Sequence, residues 1–180
     1  MSERDADPRA ALLRSRIRDI PDFPKPGILF RDLTPLMGDG PSLRTSVEML
    51  VEKVARHRAD TIVAIESRGF IFGAPVATAL GLGLAPVRKA GKLPWHTTKR
   101  TYDLEYGTDS LEMHADAVVQ GTRVVIVDDL LATGGTAAAT AALVRAQGGV
   151  VVALAVVVEL ELLKGRGRLG DVAVDSLIRY

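Results

Sequence analysis

Apolar residues in this chain gather into short, nearly unbroken runs, separated by stretches that suit helices. The runs are TIVAIE (61–66), LAPVR (84–88), RVVIVDD (123–129) and VVALAVVVE (151–159), and Ala-rich segments at 72–80 and 136–147 lie between them. Apolar runs without polar alternation are what strands buried on both faces require. The pattern therefore predicts an α/β fold: an open, mostly parallel sheet flanked by helices, with right-handed crossovers. Upstream, Leu43, Val47, Leu50, Val51 and Val54 predict a helix over 41–58. Asp7 as N-cap and Pro8 in the first turn, followed by Ala10, Leu13, Ile17 and Ile20, predict another over 8–19.

Two stretches break this rhythm. Pro21, Pro24, Pro26 and Pro35 fall close together and exclude regular helix, so 21–35 reads as an extended, stiffened segment. Residues 90–116, AGKLPWHTTKRTYDLEYGTDSLEMHAD, form a long polar excursion of the kind that serves as a lid. With no repeat, low-complexity tract or linker, residues 1–180 are expected to form a single domain.

Composition narrows the function classes. At 180 residues, 47% hydrophobic and 25% charged, the chain has the profile of a compact globular protein. Its formal charge of +1 gives no molecule-wide field for nucleic acid or an anionic membrane. The absence of cysteine excludes disulfides, thiolate metal sites and a cysteine nucleophile, and makes the cytoplasm the expected compartment. MSERDADPRA lacks the apolar core of a secretory signal, and the apolar run 150–158 is too short to span a membrane.

The most informative segment is VVIVDDLLATGGTAAA (124–139): a strand ending in two acids, a loop of hydroxyls and paired glycines, then a helix. Ligands of open α/β sheets bind beyond the carboxyl ends of strands, where a helix N-terminus offers unpaired N–H groups. Thr133, Gly134, Gly135 and Thr136 suit a monophosphate cup, and Asp128 and Asp129 can accept hydrogen bonds from ribose hydroxyls. Neither Gly-Lys-Ser/Thr nor G-x-G-x-x-G is present, which argues against ATP and NAD.

This segment resembles the signature with which type I phosphoribosyltransferases bind phosphoribosyl pyrophosphate (PRPP). Enzymes of the family acting on hypoxanthine and guanine carry an Asp where this chain has Ala132. The runs PDFPKPGILFRD (21–32), ESRGFIFGAP (66–75), VRKAGKLP (87–94), LEYG (104–107) and VELELLKGR (158–166) instead resemble the adenine branch, in order and spacing, over nearly the whole chain after the first ten residues. The resemblance implies transfer of 5-phosphoribose from PRPP to adenine, giving AMP and pyrophosphate in purine salvage. It also implies a homodimer, and Mg²⁺ carried mainly by the substrate without a metal cage of the protein's own.

Roles follow from the resemblance. Residues 1–35 become an N-terminal helix and base-binding hood, and 90–116 the lid. Asp128, Asp129, Ala132, Thr133, Gly134, Gly135 and Thr136 are implied for ribose 5-phosphate. Glu66, Ser67, Arg68, Gly69, Arg88, Lys89 and Lys92 are implied for pyrophosphate, with a cis Glu66–Ser67 peptide. Leu29, Phe30, Arg31 and Leu130 are implied for adenine, and Glu105 as the acid that protonates its N7. Trp95 is expected to pack the lid, and His57, His96 and His114 receive no catalytic role. A PRPP-binding regulator without activity, or a transferase for another base, is the alternative reading.

Overall fold

The predicted strands all form, and their order in the sheet explains where the chain can hold a ligand. The structure, a computed structural model, describes residues 7–103 and 108–180. It divides into two compact units, Met1–Met49 and Leu50–Tyr180.

In the first unit, helix α1 (Pro8–Ser15) is capped by the Asp7 carboxylate and ends well before the expected residue 19. Ile20 serves strand β1 (Arg18–Pro21), which pairs antiparallel with β2 (Leu29–Asp32), Ile20 facing Phe30. Its β-branched side chain satisfies either period, and the pairing partner decides. The proline-rich connection includes a cis Phe23–Pro24 bond and a turn at Gly27, where φ is +86°. A short helix α2 (Thr34–Gly38) follows, then α3 (Gly40–Ala55). Asp39 caps α3 by accepting from the Ser42 amide at 3.0 Å. The helix stops short of the expected residue 58, and Arg58 at φ +50° has left-handed backbone that no helix continues.

The second unit holds β3 (Thr61–Ile65), α4 (Gly69–Leu80), β4 (Gly83–Lys89), β5 (Thr97–Asp103), β6 (Thr108–His114), β7 (Arg123–Leu131), α5 (Gly135–Ala146), β8 (Val150–Glu159) and β9 (Ala173–Arg179). Two 3₁₀ turns, Glu161–Leu163 and Gly165–Arg168, precede β9. Among the described residues seven strands form one sheet in the order β5-β6-β4-β3-β7-β8-β9. β4, β3, β7, β8 and β9 are parallel, while β5 and β6 run as an antiparallel hairpin beside β4. Most of 90–116 is thus strand rather than open loop.

Strand period divides the buried residues into two layers. Val63, Ile65, Val124, Ile126, Leu154 and Val156 join Leu143 and Val144 of α5 in one core. On the other face α4 lies so close that a Cβ on Gly73 would come within 2.7 Å of the Ala64 Cβ. The connection β3-α4-β4 leads one way across the sheet and β7-α5-β8 the other. The carboxyl ends of the adjacent strands β3 and β7 are therefore the topological switch point, where open α/β sheets bind ligands.

Candidate active site

Two loops meet at that switch point. After Ile65 the chain turns through Glu66, Ser67 and Arg68 into α4. A Cβ on Gly69 would stand 2.9 Å from both Asp128 Oδ1 and the Val127 carbonyl oxygen, so only glycine lets the helix begin this close to β7. The Glu66–Ser67 peptide is cis, as the resemblance implies.

Glu66 anchors the loop. Its carboxylate accepts from Arg88 Nη2 at 3.2 Å, Arg88 Nε at 3.3 Å and the Lys89 amide at 3.0 Å. Burial works to raise its pKa, but these donors prevail and hold the carboxyl below the usual range. The same contacts fasten the ends of β3 and β4 and aim Arg88.

Arg88 also donates to the Lys92 carbonyl oxygen at 3.0 Å. The turn beyond it is organised by Glu112 of β6, a residue that sequence reasoning passed over. Glu112 is 5% exposed. Its Oε1 accepts the Lys92 and Leu93 amides at 2.9 Å each, and its Oε2 the Thr97 hydroxyl at 3.3 Å. Burial opposes the charge, but these donors outweigh it and keep the carboxyl below its ordinary value. The available signal was an acid between two apolar strand residues, Leu111 and Met113, both buried. Lys89 pairs with Asp109 at 3.2 Å, and the hydrogen bond and charge of that carboxylate raise the lysine's pKa. Trp95, expected to pack the lid, is 54% exposed and lies against the His96 ring.

The second loop leaves β7 through Asp128, Asp129, Leu130 and Leu131. Asp129 is buried and ion-paired with Arg68 of the first loop. Burial, and secondarily the charge of Asp129 beside it, push the Asp128 carboxyl well above its ordinary pKa, although the Asp129 amide donates to Asp128 Oδ1 at 2.9 Å. Ala132, Thr133 and Gly134 then lead into α5. Gly134 takes φ +81°, and no side chain caps the helix, so its first amides remain for a ligand. Thr136 Oγ1 lies 3.3 Å from the Tyr102 hydroxyl of β5.

These groups line one cavity of about 410 Å³. Glu66, Ser67, Arg68 and Lys89 face it from the first loop and β4, and residues 128–137 face it from the second, with Leu154 and Val156 beneath. Leu131, Ala137, Leu154 and Val156 were not anticipated; their apolar spacing reads only as core. Gly69, Arg88 and Lys92 stand behind the lining through the contacts above.

Leu29, Phe30 and Arg31 lie on β2 of the first unit. The Phe30 ring meets Phe23 edge-on at 5.2 Å, Arg31 pairs with Asp19, and Leu29 is exposed. Glu105 falls outside the described residues. Among the described residues no helix is long and apolar enough to cross a membrane.

Residues 39–177 match the family model of the phosphoribosyl transferase domain. An adenine phosphoribosyltransferase of Clostridium botulinum is 56% identical over 93% of this chain and 98% of its own length. The crystal structure of the enzyme of that name from Thermoanaerobacter pseudethanolicus superposes with a TM-score of 0.92 at 51% identity, covering 95% of this chain and 99% of that one. The Saccharomyces cerevisiae enzyme, solved with adenine and an imino-altritol bisphosphate, gives a TM-score of 0.88 at 41% identity over 94% and 98% of the two chains. A signature loop read from residue chemistry, a cavity at the predicted strand ends and relatives matched along nearly their whole length converge: this chain belongs to the phosphoribosyltransferase family, among the adenine phosphoribosyltransferases.

Proposed function

We propose that the chain transfers the 5-phosphoribosyl group of PRPP to N9 of adenine, releasing pyrophosphate and forming AMP. The observation that carries this reading is the pairing, in one cavity, of an uncapped glycine-bounded helix N-terminus with a cationic loop on the neighbouring strand. The amides at the start of α5, with Thr133 and Thr136, take the 5-phosphate. Asp128 and Asp129 take the ribose hydroxyls, a task to which a carboxyl held toward its neutral form adds a donor. The Ser67–Gly69 loop and Arg68, supported by Arg88, Lys89 and Lys92, take the pyrophosphate in line with the bond that breaks.

Mg²⁺ fits this donor set as a passenger of the substrate. The deep acids of the cavity are Asp128 and Asp129, and Asp129 is engaged by Arg68, so phosphate and ribose oxygens and water would supply most of its shell. When bound, it would neutralise charge on the leaving oxygens.

Leu29, Phe30 and Arg31 of the hood (1–35), with Leu130, take the base. A backbone acceptor near Leu29 would receive the exocyclic amine of adenine, which a 6-oxopurine lacks. Glu105, in the lid (90–116), donates the proton to N7; this assignment rests on LEYG in the sequence. The resemblance along nearly the whole chain after the first ten residues supports one domain, 1–180, working in the cytoplasm as a homodimer.

Base-dependent pyrophosphate release from PRPP, measured across adenine, hypoxanthine, guanine, xanthine and pyrimidines, tests the reading. Turnover with adenine alone is expected. Turnover with a 6-oxopurine would assign the chain to another branch, and PRPP binding without turnover would make it a regulator. For Glu105, Glu105→Gln should slow single-turnover AMP formation by ~10²–10⁴ while leaving PRPP binding nearly intact. A chemical step within a few-fold of the parent would remove the assignment.

A further inference from the structure

One motif of the sequence, VELELLKGR, has no part in that chemistry, yet it builds a densely bonded ionic cluster outside the cavity. Glu159, the last residue of β8, is 3% exposed. Arg166 grips its carboxylate with both Nε and Nη2, the latter at 2.6 Å from Oε2. Ser176 Oγ donates to the same oxygen at 2.8 Å, and Arg179 Nε lies 3.5 Å from it. The remaining arm of Arg166, Nη1, donates to the Val174 carbonyl oxygen at 2.9 Å. One guanidinium is thereby fixed to β8 and β9 together, which a lysine's single ammonium could not do.

What this guanidinium holds in place is its neighbour. Gly165 is set on one side by Lys164, whose φ is +52°, and on the other by the gripped Arg166. A Cβ on Gly165 would stand 2.3 Å from the Ala132 carbonyl oxygen and 3.1 Å from the Gly134 amide nitrogen. A Cβ on Gly134 would in turn stand 2.4 Å from the Gly165 carbonyl oxygen. The contact is chiefly backbone against backbone, with Leu131 Cδ1 also 3.0 Å from the Cβ position of Gly165, so a displaced turn displaces the loop. Ala132, Thr133 and Gly134 line the cavity on their other side.

We propose that Arg166 and Glu159 are positioning residues for the 5-phosphate: their ion pair holds Gly165 as the back wall of the loop Ala132–Gly134. The inference rests on the reading of that loop as the phosphate cup. It predicts that a cluster outside the cavity sets affinity for whatever phosphate the cup receives, and leaves the pyrophosphate loop alone.

The test compares Arg166→Met, Arg166→Lys and His57→Ala with the parent. The last breaks a different pair to β9, His57 Nε2 with Asp175 Oδ2 at 2.6 Å, and serves as a control for lost stability. Calorimetric binding of AMP and of pyrophosphate is measured with steady-state kinetics and Tm. Arg166→Met is expected to raise Kd for AMP and KM for PRPP by about tenfold to a hundredfold, with KM for adenine and Kd for pyrophosphate within about twofold. Arg166→Lys should fall between it and the parent, and carries the test alone if Arg166→Met does not fold. His57→Ala should lower Tm without moving either phosphate constant. Parent-like AMP binding in the arginine variants would overturn the proposal, as would an equal loss in His57→Ala. A parent that binds neither AMP nor PRPP would instead remove the cup reading, and the proposal with it.

Discussion

The two loops of the cavity leave adjacent parallel strands at the same, carboxyl end of the sheet, and both open onto a helix, yet they are built on opposite plans. The β3 loop and the adjoining end of β4 work through side chains that are already occupied: Arg88 on Glu66, Arg68 on Asp129, Lys89 on Asp109. Beyond its two aspartates the β7 loop works mainly through backbone, with small residues, a left-handed glycine and a wall of peptide behind it. In the proposed reaction the 5-phosphate stays bound throughout while pyrophosphate departs. Amides of fixed direction suit the group that stays. Cations with partners of their own suit the group that leaves, because binding it exchanges one ion pair for another and release restores the first. On that proposal, retention and release fall to different kinds of structure within one site.

AMP and pyrophosphate probe the two loops separately. The largest effect is expected from Gly134→Val, where both the positive φ and the 2.4 Å approach of Gly165 exclude a side chain. Calorimetry should show AMP binding weakened at least about a hundredfold and thermal unfolding a loss of about 2–3 kcal/mol, with pyrophosphate affinity nearly unchanged. A variant that still binds AMP would collapse the contrast. Next comes Arg68→Met, expected to weaken pyrophosphate by about tenfold, the value of one charge-assisted contact, and AMP by less than about threefold. Equal losses for both ligands would show that the loops act as one.

Asp128→Asn should be smaller and of opposite sign in stability. Because the carboxyl's native pKa is raised, first by burial and then by Asp129, its ionisation opposes folding. Native stability therefore falls as pH rises from the ordinary carboxylate range toward the raised value. At neutral pH the amide should raise Tm, by about 2–4 °C for each kcal/mol gained. The gain should vanish below about pH 4, where both states are protonated. AMP affinity should fall in the same variant; a rise in both would contradict the ribose assignment. The smallest effect belongs to Glu66→Gln. The native pKa of Glu66 is depressed, so its contribution is present above about pH 4.3, the ordinary glutamate value, and disappears as pH falls through the lower native one. The variant should be less stable at neutral pH by under about 1 kcal/mol and converge with the parent in acid. A gap that persisted in acid would assign the loss to packing rather than charge.

The parallel strands were legible because burial on both faces leaves little room for polar residues, and Val124, Val125, Ile126 and Val127 are all fully buried. The loop proposed as the phosphate cup was legible because few other settings bring two acids, two hydroxyls and two glycines together where a strand gives way to a helix. The hairpin β5-β6 was not. Lys99, Arg100 and Thr101 are exposed on a strand at the edge of the sheet, and such a sequence resembles a polar loop. β9 escaped notice because Asp175 and Ser176 interrupt its apolar pattern, Ser176 being buried only with the help of Glu159 and the arginines. Glu112 and Gly165 share a further obscurity. Each serves a segment distant in sequence, and a single chain gives no sign of the partner that makes an acid or a glycine necessary.

The interlock of Gly134 with Gly165 bears on modularity. A loop that reads as a short portable cassette has its shape completed by a turn encoded after the following strand. Moving ATGGT alone onto another sheet would carry over the letters without the mould that casts them, whereas moving 124–179 would carry both. Recombination and design alike should find their permissible breakpoints outside that span.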